Sequence, residues 1–419
     1  LHVRSRRQRQ MCIRDRLRLQ GGQGVDVLKV AQQKRRPWSG LTGRARQSGQ
    51  AGRDGDDFSH QVYDAMSGCL ACKSCAGQCP IKVDVPEFRS RFLELYHTRY
   101  RRPLRDYVMA SLEFVMPAAA KFPAVFNGLM KQSWVRQAMA SGLGIVDSPL
   151  LSRLDIAAAL EAHGVRHASV PELEALDPAE RARSVILVPD SFTYLFETEQ
   201  MVPLIELATR LGYRVWMAPL KPNGKPLHVQ GFLKTFNRVA RRNSEHLSGL
   251  ARTGIALVGL DPAMTLVYRQ EYLKVPGLTQ VPEVLLPQEW LARVWPRAGK
   301  TETAPQTVTY RLLPHCTERT NAPASVGQWQ EVFAKAGLSL QVEASGCCGM
   351  SGTYGHEARN YETSRVIFEQ SWKNALDASG VSADAEPLAT GYSCRSQVKR
   401  FGAREIRHPL QALLAHARL

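Results

Sequence analysis

The chain has 419 residues, 44% of them hydrophobic, which is enough for two or three domains with real cores. No run of 18 or more apolar residues occurs, so the sequence offers no membrane-spanning helix. The net charge of +17 looks like a nucleic-acid signal until it is located: fourteen Lys/Arg and two Asp in residues 1–53 carry +12 of it, and the other 366 residues carry +5. A nucleic-acid partner would want a basic face on a folded domain with aromatics interleaved, which a basic tail poor in aromatics does not supply.

Residues 1–55 have neither helical nor strand period, and their Gly/Gln/Arg bias predicts disorder. Arg6-Arg7 lacks the apolar stretch that an export signal needs behind it. Leu1 is not an initiator, and Met11-Cys-Ile-Arg-Asp-Arg16 resembles translated adapter sequence, so this segment is expected to be a non-native basic extension.

From Phe58 the texture becomes globular, and residues 56–150 read as a helical ferredoxin-type domain. Its centre is Cys69-Leu-Ala-Cys72-Lys-Ser-Cys75-Ala-Gly-Gln-Cys79-Pro80. This C-x2-C-x2-C-x3-C-P spacing is the one by which bacterial ferredoxins hold a [4Fe–4S] cluster. Iron bound to sulfide prefers soft thiolate ligands, and two-residue gaps let successive sulfurs converge from one loop. Zinc is the competitor, but its modules pair two C-x2-C knuckles a dozen or more residues apart. Helices are expected at Phe58–Met66 and Pro86–His97, then over 104–140 with breaks at Pro117 and Pro123. The apolar stripe of that last stretch (Leu112, Val115, Met116, Phe122, Phe126, Leu129, Met130) is expected to pack on the cluster domain, with a membrane or partner as the other reading.

A helical connector over 151–182 leads into two copies of one α/β unit, 183–295 and 309–419, joined by a Pro/Thr-rich linker at 296–308. Strand Ser184-Val-Ile-Leu-Val-Pro-Asp190 opens the first unit and Thr309-Tyr-Arg-Leu-Leu-Pro-His315 the second. Aligning Pro189 with Pro314 sets Ser191 opposite Cys316, and without a gap Pro222-Asn223-Gly224 opposite Cys347-Cys348-Gly349. After an insertion, Val258–Ala263 pairs with Ala389–Cys394. The fold class expected is therefore α/β: a helical ferredoxin-like cluster domain followed by two duplicated units with mainly parallel sheets and sites at the strand C-termini.

Cys316, Cys347, Cys348 and Cys394 all fall where strands end and are expected beside one another at one sheet edge. Cys316 and Cys394 precede helices, whose dipoles favour thiolates. A Cys347–Cys348 disulfide is disfavoured, since neighbouring Cα atoms lie about 3.8 Å apart, below the usual disulfide range. Three readings stand: a second iron–sulfur site, a zinc site, or a redox-silent remnant, with His315 and His356 as spare ligands. Gly391-Tyr-Ser393-Cys-Arg395 begins like a nucleophile elbow, but Arg395 occupies the place of the closing Gly, which argues against a hydrolase. Arg395 and Lys399 share a helix face and offer an anion site or a solvated surface. No P-loop or G-x-G-x-x-G turn is present.

These residues resemble the C-terminal half of the bacterial FAD- and iron–sulfur-dependent D-2-hydroxyglutarate dehydrogenases. The likeness is carried by Ala65–Arg105, Pro222-Asn-Gly-Lys, Val258-Gly-Leu-Asp-Pro262, Gly346-Cys-Cys-Gly-Met350, Thr353-Tyr-Gly-His-Glu357 and Ala389–Lys399, and is expected to run from about residue 56 to the end. More remotely, the Cys-Cys-Gly unit is similar to those of glycolate oxidase iron–sulfur subunits and heterodisulfide reductases. The resemblance implies that Cys69, Cys72, Cys75 and Cys79 ligate one cluster, with Cys316 or Cys394 as a substitute for Cys79. It implies FAD on an upstream domain or a separate partner, an external electron acceptor, and a second metal or cluster at the Cys-Cys-Gly set. The expected role is electron transfer in a cytoplasmic dehydrogenase, the chain alone being inactive, with homo-oligomers allowed and no nucleic-acid partner. The alternatives are a free-standing subunit of a glycolate oxidase or anaerobic glycerol-3-phosphate dehydrogenase-like complex, and a zinc-stabilised binding module.

Overall fold

The computed structural model describes residues 57–78, 80, 83–296, 309–377 and 385–416. The basic segment 1–55, Cys79 and nearly all of the linker lie outside them.

Helix Ser59–Ser67, the short helix Ser74–Gln78 and helix Val85–Arg99 surround the cysteine loop. The last starts where Asp84 accepts the Glu87 N–H and Pro86 sits in the first turn, satisfying an amide that the helix leaves free. Helix Leu104–Ala119 runs through Pro117 rather than breaking there. Pro117 lies in the final turn, where little ladder remains to lose. Pro123 does act as a boundary and opens helix Pro123–Lys131. Glu113, buried on the first of these helices, accepts the N–H groups of Asn223 (3.1 Å) and Gly224 (2.8 Å) and so fastens the helical part to the first α/β unit.

The first sheet contains β1 (Arg166–His167), β2 (Ser184–Val188), β3 (Arg214–Met217), β4 (Ala256–Gly259) and β5 (Val284–Leu285), all parallel, in the order β1-β3-β2-β4-β5. The second contains β6 (Thr309–Leu313), β7 (Ser339–Val342) and β8 (Glu386–Ala389), parallel, in the order β7-β6-β8. Counting from β2 in the first unit and β6 in the second, each unit has its opening strand in the middle, the next on one side and the third on the other. β1 lies within what composition suggests is a helical connector. It is two residues long and exposed, too short to show alternation.

Strand registers align the two units residue by residue. Leu187 faces Met217, and Leu312 faces Val342, which sets Pro222, Asn223 and Gly224 level with Cys347, Cys348 and Gly349. Both glycines are left-handed (φ 84° and 89°). The third correspondence differs from expectation by one residue. Val188 faces Gly259 and Leu313 faces Ala389, so Met264, not Ala263, is the counterpart of Cys394. The loop insertion before β8 hides this offset in the sequence.

A single apolar core joins the units, with Leu204, Trp290 and Leu291 of the first packed with Trp329, Phe333 and Leu410 of the second. The carboxyl ends of the two sheets face each other: Tyr392 N–H donates to the Asp261 carboxylate at 2.8 Å, and Arg395 pairs with Glu197. Among the described residues no helix is long and apolar enough to cross a membrane.

Candidate metal centre

The cysteine loop is wound through left-handed residues, Ala71 (φ 52°) and Lys73 (φ 58°), a conformation most side chains avoid. The Ala71 N–H lies near the Cys69 sulfur and the Ser74 N–H near the Cys72 sulfur, each favouring the thiolate. Cys69, Cys72 and Cys75 are half-buried. Burial pushes the Cys69 thiol up, and burial together with Cys316 pushes that of Cys72 up to about 11, so protons must leave when metal binds.

Lys73 holds this loop against the first unit. Its ammonium, 4% exposed, donates to Gln270 at 2.8 Å and pairs at 2.9 Å with Glu271, which is 1% exposed and also takes Lys225. Burial raises the Glu271 carboxyl, but Lys225 and Lys73 outweigh it and hold the group well below the usual carboxylate range. Nothing in the local sequence marks this network, because the partners come from different domains.

The second cysteine set is gathered at the facing sheet ends. Cys316 is the first residue of helix Cys316–Asn321, Cys347 and Cys348 follow β7, and Cys394 lies in helix Tyr392–Phe401. Cys347 lies close to both Cys316 and Cys348, and Cys348 to Cys394, and the Cys348 thiol donates to the Ser393 carbonyl at 3.8 Å. Gly349 N–H donates to the Cys347 sulfur at 3.3 Å. Against the helix-dipole expectation of thiolates, sharing its proton with the neighbouring Cys347 sulfur, together with burial, pushes the Cys316 thiol well up, and burial raises Cys394. Cys72 of the first loop lies close enough to Cys316 and Cys347 to raise the cost of charging them together. The two cysteine sets are therefore neighbours.

Among the described residues no three His, Cys, Asp or Glu side chains are gathered as ligands of one metal ion. Zinc bonds of about 2.3 Å would hold sulfurs within roughly 4 Å of one another around a single point. An iron–sulfur cluster, whose thiolates attach to different irons, makes no such demand. Soft donors with N–H groups aimed at them fit that kind of group.

The spare histidines are already engaged. His315 Nδ1 accepts the Thr317 N–H (3.1 Å), and its other nitrogen lies 3.2 Å from Ser393 Oγ. His356 contacts the Val146 carbonyl at 3.2 Å. The anion site at Arg395 and Lys399 is overturned: Arg395 is buried against Glu197 and two carbonyls, and Lys399 pairs with Glu405. Sequence reasoning also missed a group of buried acids. Glu318 takes Gln288, Trp329 and Thr390, and burial lifts its carboxyl to about 7. Asp190 and Asp261 cap helices Ser191–Phe196 and Pro262–Gln270, a role that Asp before a helix start, and Asp261-Pro262 in particular, does signal.

Gly349 sets the geometry of the thiols. A Cβ there would lie 2.4 Å from the Ser364 carbonyl oxygen, on a backbone already at positive φ. Gly349→Ala should lower stability by about 3 kcal/mol or more and shift the Cys348 backbone, readable as a fall in the urea midpoint.

No family model matches the chain. It is similar to D-2-hydroxyglutarate dehydrogenase of Pseudomonas putida, 58% identical over 406 residues, which is 97% of this chain and 39% of that protein. D-2-hydroxyglutarate dehydrogenase of Escherichia coli is 42% identical over 418 residues, 98% of this chain and 40% of that protein. One of the subunits of the anaerobic glycerol-3-phosphate dehydrogenase of Escherichia coli is 26% identical over 384 residues, 88% of this chain and 91% of its own length. The chain is thus homologous over nearly its whole length to D-2-hydroxyglutarate dehydrogenases and spans about two fifths of theirs. Coverage of 97–98% carries the likeness into residues 1–55, further than the expected start at residue 56.

Proposed function

We propose that this chain is the iron–sulfur electron-transfer portion of a flavin-dependent D-2-hydroxyacid dehydrogenase acting on D-2-hydroxyglutarate, and that it carries electrons from reduced FAD to an external acceptor. The observation that carries this reading is the cysteine loop wound so that backbone N–H groups lie near sulfur, set beside a second set of thiols. The identity to D-2-hydroxyglutarate dehydrogenases supports the substrate class. Cys69, Cys72, Cys75 and Cys79 would hold one [4Fe–4S] cluster, and Cys316, Cys347, Cys348 and Cys394 are the candidate ligands of a second. Such a group supplies single-electron transfer at a potential set by charge and hydrogen bonds around its sulfurs. The chain contributes the amides of Ala71 and Ser74, the buried Lys73 charge, and walls that keep water from the sulfurs. FAD belongs to a domain upstream or to a partner, and the thiol-rich site suits the reducing cytoplasm.

Hydride abstraction from a 2-hydroxy acid needs a two-electron acceptor against the substrate carbon, which flavin supplies and thiol-bound iron does not. The 419 residues by themselves should therefore show no oxidation of D-2-hydroxyglutarate with any artificial acceptor. Joined to a matching flavin domain they should speed flavin reoxidation, and Cys-to-Ser changes in the loop should remove that gain. Steady turnover without flavoprotein would defeat the proposal. A second reading, a free-standing subunit docking a separate flavoprotein, is favoured by the match to 91% of the glycerol-3-phosphate dehydrogenase subunit. An in-frame flavin domain in the DNA upstream would decide against it.

A further inference from the structure

A cavity of about 290 Å³ opens between the cysteine loop, the facing sheet ends and the 104–143 helices. One wall is aromatic: the Tyr392 ring lies 6.0 Å from Phe192 and 6.2 Å from Phe196. Met109, Met116, Met130 and Met139 add soft, adaptable side chains to the lining. Ala71 of the loop and Cys316 and Cys348 of the second set line it directly.

Polar side chains such as Ser148, Thr353 and His356 interrupt the apolar lining, and at the facing sheet ends His315 and Ser393 lie together near Asp261. A backbone N–H can only donate, so His315 Nδ1, which accepts from Thr317, carries no proton. The ring proton of the neutral imidazole therefore sits on Nε2 and is donated to Ser393 Oγ. That leaves the Ser393 hydroxyl hydrogen free to donate into the cavity. Among the described residues Lys225 is the one lysine or arginine on the walls, and Glu271 already takes its charge. A dicarboxylate would find no unpaired cation among them, and a flavin no partner for its phosphates. A flat, apolar ring with a carbonyl at one end matches both the walls and the donor.

We propose that this cavity binds a quinone, as the external acceptor that the reading above leaves open. Reduction turns both C=O groups to C–OH with two electrons and two protons. The electrons would be supplied singly by an iron–sulfur group if Cys69, Cys72, Cys75 and Cys79 hold one. The protons come from solvent, one passed at the inner carbonyl by Ser393 and the other taken up at the cavity mouth. The outer faces of the same helices expose Phe114, Val115, Phe122, Val125 and Trp134, an apolar approach suited to a lipid-borne ligand. The electron-transfer part rests on the proposed function; the binding part does not.

The test is anaerobic calorimetric titration of the purified chain with ubiquinone-1. One saturable site per chain is expected, weakened about tenfold or more in Met130→Trp and in Ala263→Phe, each of which fills the cavity. Glu405→Gln, on the exposed surface and outside the cavity lining, should keep affinity within about twofold. Absence of saturable binding, or unchanged affinity in either filled variant with an unaltered melting temperature, overturns the site. Dithionite-reduced protein should be reoxidised by ubiquinone-1, several-fold more slowly in Ser393→Ala. Binding without reoxidation would overturn the acceptor role while leaving the cysteine assignment to its own test.

Discussion

Cys72→Ser removes the reduced-state EPR signal of the anaerobically purified chain, and with it about four irons per chain. Cys72 is a loop cysteine whose thiol feels Cys316 of the second set, and the Ser74 N–H lies near its sulfur. Serine keeps the shape but offers a harder oxygen that stays protonated, so the metal loses both a soft donor and a negative charge. The free Cys72 thiol is pushed up to about 11, chiefly by burial, so cluster assembly competes with protons and should weaken as pH falls. Iron analysis and EPR of the variant beside the parent read the outcome. An unchanged spectrum would remove the cysteine loop from the cluster assignment.

The second large effect is on stability. Glu271→Gln leaves the buried Lys73 and the half-buried Lys225 without their shared countercharge, and breaking a buried pair from one side costs about 3–5 kcal/mol. The urea midpoint should fall accordingly, and Lys73→Gln added to the Glu271→Gln variant should recover part of the loss. A midpoint unchanged within error would mean the two ammonium groups find other partners. The folded-state carboxyl of Glu271 is depressed, so its contribution is fully present above the ordinary glutamate value of 4.5 and is lost only as pH falls through a folded value far below that. Mild acid should leave this contact intact.

Much of the site was legible because cysteine spacing is a local signal and because a repeat can be aligned with itself. Setting Pro189 against Pro314 reached the observed register at Cys347 and Cys348, since the intervening lengths match without a gap. It missed by one residue at Cys394, where the units differ in length. The buried charge network was not legible. Lys73 reads as a solvated loop residue until Glu271, far along the chain, is placed beside it. Arg395 read as an anion ligand or a solvated surface residue for the same reason: helical spacing shows which residues share a face, but not that Glu197 arrives from the other unit to neutralise it. The apolar stripe of 104–140 divided in a way periodicity cannot assign. Met116 and Met130 line the cavity, whereas Val115, Phe122 and Leu129 stay exposed.

In the first unit, Ser191, Pro222, Asn223 and Met264 stand where the second has its four thiols. Asn223 donates to the Met264 carbonyl at 3.1 Å, accepts the Lys225 N–H at 2.9 Å, and its own carbonyl takes the Tyr272 hydroxyl at 3.0 Å. Hydrogen bonds there close the junction that sulfur chemistry is proposed to close in the other copy. The molecule therefore carries its own metal-free reference. Stripped of metal and exposed to oxidant, one half has nothing to lose, while its twin has four thiols at risk, so chemical damage should write an asymmetry onto a scaffold that began as two equal parts.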